Sequence, residues 1–369
     1  MFSSFRNYSK YAFILLIGFT LQQCHDTIDE EYLDKDLSHI PYEPVFYTLP
    51  VPDSFPALEQ PADNLMTLAG IQLGRKLFYD PILSIDSMIS CSSCHLQENA
   101  FTDALDHSVG VAGRTNRGSM SLMNVGFHYH GMFWDGRSPT LETQALHPVQ
   151  DPVEMGETWD HVEEKLRRHP VYPEEFRKAF GIDKTSLITR ELAVKAIAQF
   201  ERTLVSGFNS KYDRVQRGET VFTDSELNGL LLFYDSDNSK PAECSHCHID
   251  PLFATNDYFN NGLQEAADFT SFADPGLGMV TGKPGDMGKF KAPTLRNLAF
   301  TAPYMHDGRF QTLEEVIDHY NSGGHPSPTR NSFIYSLGLT ETEKADLLAF
   351  ILTLTDSTIL TNEAFSNPF

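Results

Sequence analysis

The chain has 369 residues, 41% of them hydrophobic, enough for about two domains at roughly 150 residues each, with a sizeable core. A formal net charge of −22 argues against a nucleic-acid partner, because phosphate binding needs a basic surface, and suits instead a partner with a basic docking face. Five cysteines are an odd number, so at least one stands outside any pairing.

In chain order, Arg6 and Lys10 precede an apolar run, Tyr11 to Phe19, that is too short to span a bilayer comfortably. This pattern predicts an export signal over residues 1–24 and a periplasmic location. Leu21-Gln22-Gln23-Cys24 resembles a lipobox, in which Cys24 becomes the lipidated first residue of a bacterial lipoprotein. Small residues usually precede that cysteine, so the alternative is plain secretion with an unpaired Cys24. Residues 25–60 are acidic and then rich in proline (Pro41, Pro44, Pro50, Pro52, Pro56), without a helical or alternating period. They read as a tether or an extended wrap. Leu65, Leu68, Ile71, Leu73, Leu77 and Phe78 then predict a helix from Asn64 to Tyr79.

Cys91-Ser92-Ser93-Cys94-His95 follows, and Cys244-Ser245-His246-Cys247-His248 repeats the C-x-x-C-H pattern. In c-type haem attachment the two thiols form thioethers with the porphyrin vinyl groups, and the next His binds the iron. Two intervening residues let both sulfurs meet one porphyrin edge while the His swings beneath the metal. The alternatives are a pair of zinc clips pooling four ligands on one ion, or a dithiol redox site. A His directly after both pairs, together with the export signal, favours two covalent haems.

Between the pentapeptides, Leu187, Leu192, Ala193, Ala196, Ile197, Phe200 and Leu204 predict a helix from Thr185 to Val205. Thr223 with Glu226 and Thr340 with Glu343 read as capping boxes opening helices through Tyr234 and Thr353. Strand signals are few and short, so the chain is mainly α with long loops. The halves also look duplicated. Gly74-Arg75-Lys76-Leu77-Phe78-Tyr79-Asp80 parallels Gly229-Leu230-Leu231-Leu232-Phe233-Tyr234-Asp235, and Met123-Asn124 parallels Arg296-Asn297. Trp134-Asp135-Gly136-Arg137 parallels His306-Asp307-Gly308-Arg309, and Thr140-Leu141-Glu142 parallels Thr312-Leu313-Glu314. Two related domains follow, 61–210 and 211–369, with the boundary near Gly207 to Arg217.

These blocks carry a family likeness from about Leu65 to Leu354. Both pentapeptides, Phe133-Trp134-Asp135-Gly136-Arg137, Gln144-Ala145 with Pro148 leading to Glu154-Met155, Pro293-Thr294-Leu295-Arg296-Asn297 and Tyr304-Met305-His306-Asp307-Gly308 resemble the bacterial dihaem cytochrome c peroxidases and the related maturation enzyme MauG. The resemblance implies two tandem class I cytochrome c-like haem domains. It implies that peroxide is cleaved at the N-terminal haem on His95, and that electrons from a small cytochrome c or a cupredoxin enter through the C-terminal haem on His248. Gln144 and Glu154 match distal-pocket residues and Trp134 the aromatic between the haems. Family members are often homodimers.

Three positions depart from the pattern. A Ser-x-Gly-His context usually supplies a removable distal His, but Ser108-Val109-Gly110-Val111 puts Val111 there, with His107 near enough to substitute. The expectation is an iron left open on one side at rest. The distal ligand of the second haem falls on Tyr320, as in the maturation enzyme, with His319, Met279 or Met287 as alternatives. A calcium ion between the haems would take the carbonyls of Thr301 and Pro303, but Gly118 stands where an Asn is expected, leaving water or Asn116 to complete the shell. Arg137, Arg296 and Arg309 are expected either to meet haem propionates or to pair with Asp135 and Asp307.

Overall fold

The structure, a computed structural model, describes residues 34–234, 242 and 244–369. The export signal, Cys24 and the first part of the acidic segment lie outside the described residues. Eleven α-helices are present among the described residues. They are α1 Leu68–Tyr79, α2 Cys91–Cys94, α3 Leu141–Gln150, α4 Trp159–Arg168, α5 Tyr172–Phe180, α6 Arg190–Glu201, α7 Lys211–Gln216, α8 Asp224–Tyr234, α9 Leu277–Thr281, α10 Leu313–Ser322 and α11 Glu341–Leu352. Two antiparallel pairs of two-residue strands complete it, β1 Val109–Gly110 with β2 Gly113–Arg114, and β3 Tyr258–Phe259 with β4 Phe290–Lys291. The mainly helical expectation holds. Among the described residues no helix is long and apolar enough to cross a membrane.

Helix boundaries depart from the sequence pattern where tertiary bonds claim the backbone. Helix α1 starts at Leu68 rather than Asn64, because extended Thr67 caps it, accepting from the Gly70 N–H at 3.0 Å. Asn64 is instead held by Gln199, Glu142 and the Lys195 carbonyl. The helix expected from Thr185 to Val205 is broken: Thr185–Leu187 is a separate 3-10 turn, and α6 runs only from Arg190 to Glu201. The Ile188 carbonyl is taken by the Arg167 guanidinium at 2.7 Å, and the Arg190 N–H by Glu163 at 2.9 Å, so no continuous ladder passes Thr189. Both expected capping boxes form, at Thr223–Glu226 and Thr340–Glu343.

The repeated blocks adopt matching local structures. Helix α1 crosses α6 at Gly74, where a Cβ would sit 1.8 Å from the Ala196 carbonyl oxygen. Helix α8 crosses α11 at Gly229, where a Cβ would sit 2.0 Å from the Asp346 carbonyl oxygen. Asn124 and Asn297 are both left-handed (φ 61 and 66). Their side-chain oxygens accept from Ser206 N–H at 2.9 Å and Asp356 N–H at 2.8 Å. Thr140 and Thr312 open α3 and α10 with the same reciprocal caps.

One buried cluster joins α1, α4, α5 and α6 through Leu77, Trp159, Phe176 and Ile197, and another gathers Phe233, Phe253, Ile317, Leu347 and Phe350 in the second half. Two segments cross this division. Residues 34–60 wrap the body rather than hang free, with Leu37 buried beside Ile182 and the Phe55 ring edge-on to Phe127 at 5.5 Å. The C-terminal tail returns to the first half: Tyr79 donates to the Phe365 carbonyl at 2.7 Å, and Gln97 donates to that of Ile359 at 2.8 Å.

Candidate active site

Ser90 caps the single turn of α2, which puts Cys91 and Cys94 three residues apart on one face. His95 leaves the helix (φ −129), and its Nδ1–H donates to the Phe101 carbonyl at 2.9 Å. Phe101 itself is left-handed (φ 63). The second pentapeptide repeats the device: His248 Nδ1–H is shared by the Phe253 and Pro293 carbonyls at 3.2 and 3.1 Å, and Phe253 has φ 53. A carbonyl can only accept, so Nδ1 carries the proton in both rings and Nε2 keeps its lone pair, the arrangement of a proximal iron ligand. Burial pushes both imidazoles below the usual range, His248 to about 4, which keeps them neutral.

His95, Cys91 and Cys94 line one cavity, and His248, Cys244 and Cys247 line a second. The cysteine pairs sit in separate cavities, so they do not pool four thiolates on one zinc ion. Burial raises the thiols, Cys94 and Cys247 to about 11 and Cys244 to about 12, the opposite of a reactive dithiol. Separate cavities, paired thiols and neutral Nε2 donors fit one c-type haem apiece.

The cavities share a wall made by Gly118, Ser119, Met120, Ser121, His128 and Trp134. Trp134 is fixed there by its indole N–H, which donates to the Gly118 carbonyl at 2.9 Å. Gln144 and Glu154 both line the His95 cavity, Gln144 from α3 and Glu154 from the loop after it. Asp151 caps the end of α3 and accepts the N–H of Val153 at 2.8 Å, while the Glu154 carbonyl accepts from Val111 at 2.9 Å. Burial lifts the Glu154 carboxyl above the usual range; Asp151 adds to this and Arg137 opposes it. Ser108 and Gly110 line the cavity, whereas neither Val111 nor His107 does. The Val111 methyls lie over Gly156 instead.

Tyr320, on α10, lines the His248 cavity, and its hydroxyl accepts from the Asn261 amide at 3.2 Å. Burial pushes that phenol up to about 12. The alternatives lie elsewhere. His319 bonds the Asn261 carbonyl through Nε2 at 3.0 Å, Met279 is 71% exposed, and Met287 packs on Gly278; none of the three lines the cavity. Met305 does line it, with Sδ 3.4 Å from Asn261 Nδ2. It was not foreseen, although it holds the place in the second half that Phe133 holds in the first. Thr301, Pro303 and Gly118 line this cavity together, while Asn116 lines the other.

The arginines divide. Arg137 pairs with Asp135 at 3.1 Å and lines the His95 cavity, and Arg309 pairs with Asp307. Arg296, 1% exposed, lines the His248 cavity but pairs with Asp213 rather than Asp135 or Asp307, and donates to the Pro251 carbonyl. Arg117 was missed by the sequence reading because it stands outside the duplicated blocks. It grips Asp274 of the second half through two 2.8 Å bonds and Asp135 of the first through a 2.6 Å bond. All three residues line the His95 cavity.

The family profile described as di-haem cytochrome c peroxidase matches residues 68–221 and 225–324. The cytochrome-c peroxidase IdrP1 of Denitromonas iodatirespirans is 34% identical over 80% of this chain and 84% of its own length. The methylamine utilization protein MauG of Methylorubrum extorquens is 34% identical over 82% of each chain. A crystal structure described as a MauG-like protein associated with microbial copper homeostasis superposes with a TM-score of 0.79, at 38% identity over 87% of this chain and 99% of that one. The chain belongs to the di-haem cytochrome c peroxidase family, haem peroxidase oxidoreductases that carry two c-type haems.

Proposed function

We propose that the protein reduces hydrogen peroxide to water in the His95 cavity, with electrons arriving singly from a small c-type cytochrome or cupredoxin on the His248 side. The observation that carries this is Glu154 beside Gln144 in the cavity of His95, with the carboxyl raised toward neutrality by burial. Bound haem would supply the iron redox chemistry that accepts the peroxide. Splitting the O–O bond as water requires a proton to move from one peroxide oxygen to the other. Glu154 is suited to take and return that proton as general base and then acid, and Gln144 to orient the peroxide by hydrogen bonding. Each peroxide consumes two electrons and two protons, and Trp134, in the wall common to both cavities, is suited to relay charge between them. The matched blocks support tandem class I cytochrome c-like domains spanning 61–210 and 211–369. The N-terminal pattern supports a periplasmic protein, lipid-anchored through Cys24.

A second reading, a MauG-like oxidation of residues in a partner protein, is favoured by Tyr320 in the cavity of His248. A phenolate ligand there would lower the potential of that iron and favour its oxidised states. Steady-state peroxide consumption with a reduced donor cytochrome separates the two. Fast, donor-dependent turnover supports the peroxidase; slow consumption that leaves the protein persistently oxidised supports the partner-oxidising enzyme.

A further inference from the structure

We propose that Lys291 is the counter-charge for a haem propionate in the His248 cavity, and that it sets the reduction potential of that haem. Strand β4 carries Lys291 opposite Tyr258 of β3, and the Lys291 N–H donates to the Trp134 carbonyl at 2.8 Å, fixing the residue against the wall between the cavities. The residue is 2% exposed and lines the His248 cavity. The ammonium lies 4.7 Å from the centre of the Tyr258 ring, and among the described residues no acceptor reaches it. A buried ammonium without an anion costs several kcal/mol, so the position calls for a negative group.

The described side chains around it do not supply one. Asp257 is more than half exposed and bonds His130 at 2.8 Å. His128 is buried beside Lys291 and, like the lysine, offers no negative charge. Conversely, a bound haem would bring two carboxylates, and Cys244 and Cys247 would engage only its vinyl groups. Among the basic side chains of this lining, Arg296 is spent on Asp213 and Pro251, and His306 is stacked on Phe290 at 3.6 Å with burial lowering its basicity. Lys291 has unspent donors. An ammonium paired with a propionate offsets negative charge near the iron and so favours the reduced state.

The inference rests on the two-haem assignment, and the test keeps them apart. Haem content and the potentials of both haems are read by redox titration of the full-length protein, the Lys291→Met variant and the Lys291→Arg variant. The expected result is two haems in each, with the reduction equilibrium constant of the His248 haem about tenfold lower in Lys291→Met, ~59 mV for one electron. The His95 haem should be unmoved, and Lys291→Arg should stay close to the parent. An unchanged His248 haem, or equal shifts in both haems, would overturn the role. If the Met variant loses a haem, the Arg variant decides: a parent-like potential supports the pairing, and a tenfold fall overturns it. Fewer than two haems in the parent protein would instead remove the assignment beneath it.

Discussion

Glu154 is a carboxyl moved out of its usual range by burial and by the neighbouring Asp151. The sign of its pH dependence follows. Because the charged form is disfavoured, the proton stays on to higher pH, and the base needed to accept the first peroxide proton is populated only above that raised value. The rate constant for the peroxide reaction should therefore climb with pH along a limb displaced above the ordinary glutamate region near ~4.3. In Glu154→Gln the limb should vanish and the rate should drop ~10²–10⁴-fold in stopped-flow mixing with peroxide. An unaltered rate would remove Glu154 from proton transfer. Tyr320→Phe takes away the only oxygen of that ring, so the absorption of the His248 haem should change and its potential rise. An identical spectrum would make Tyr320 a plain wall residue. At this scale the chemistry-bearing types were legible because their spacing is local, as in both pentapeptides. Met305 and Lys291 were not singled out, since a Met and a Lys acquire meaning only when a distant strand or loop brings them against His248.

The crossing of α1 with α6, and of α8 with α11, depends on glycine. Gly74→Val and Gly229→Val would each drive a side chain into a partner backbone that cannot yield. Overpacking of this kind costs ~1–3 kcal/mol or more, read as a lower denaturation midpoint. Thr140→Ala and Thr312→Ala should each cost ~0.5–2 kcal/mol by removing a cap that the structure shows closed. The two capped helices after Thr223 and Thr340 were readable because capping is a three-residue signal. Helices α4 and α5 escaped notice: α4 holds its apolar face with Trp159, Val162 and Leu166 alone, and ion pairs such as Glu163–Arg167 line its flank. The misread start of α6 has a tertiary cause, the Arg167 guanidinium ending the preceding turn at Ile188.

Across the whole molecule, the duplication was visible as ordered blocks, and the structure gives those blocks the same caps, left-handed asparagines and glycine crossings. The return of Ile359 and Phe365 to the first half was invisible, because the tail lies beyond any repeat. Arg117 ties the halves together beside the His95 cavity. Arg117→Ala should take the bidentate partner from Asp274 and leave Asp135 to Arg137 alone, cost ~1–3 kcal/mol and loosen that cavity wall, seen as a lower midpoint together with slower peroxide reaction. The deepest asymmetry is between the cavities: one is lined by Gln144 and Glu154 but by neither Val111 nor His107, while the other is lined by Tyr320. The electron-spin and absorption spectra of the oxidised, as-isolated protein test this most directly. One high-spin iron beside one low-spin iron is the predicted result; two low-spin irons, each capped on both faces, would contradict it.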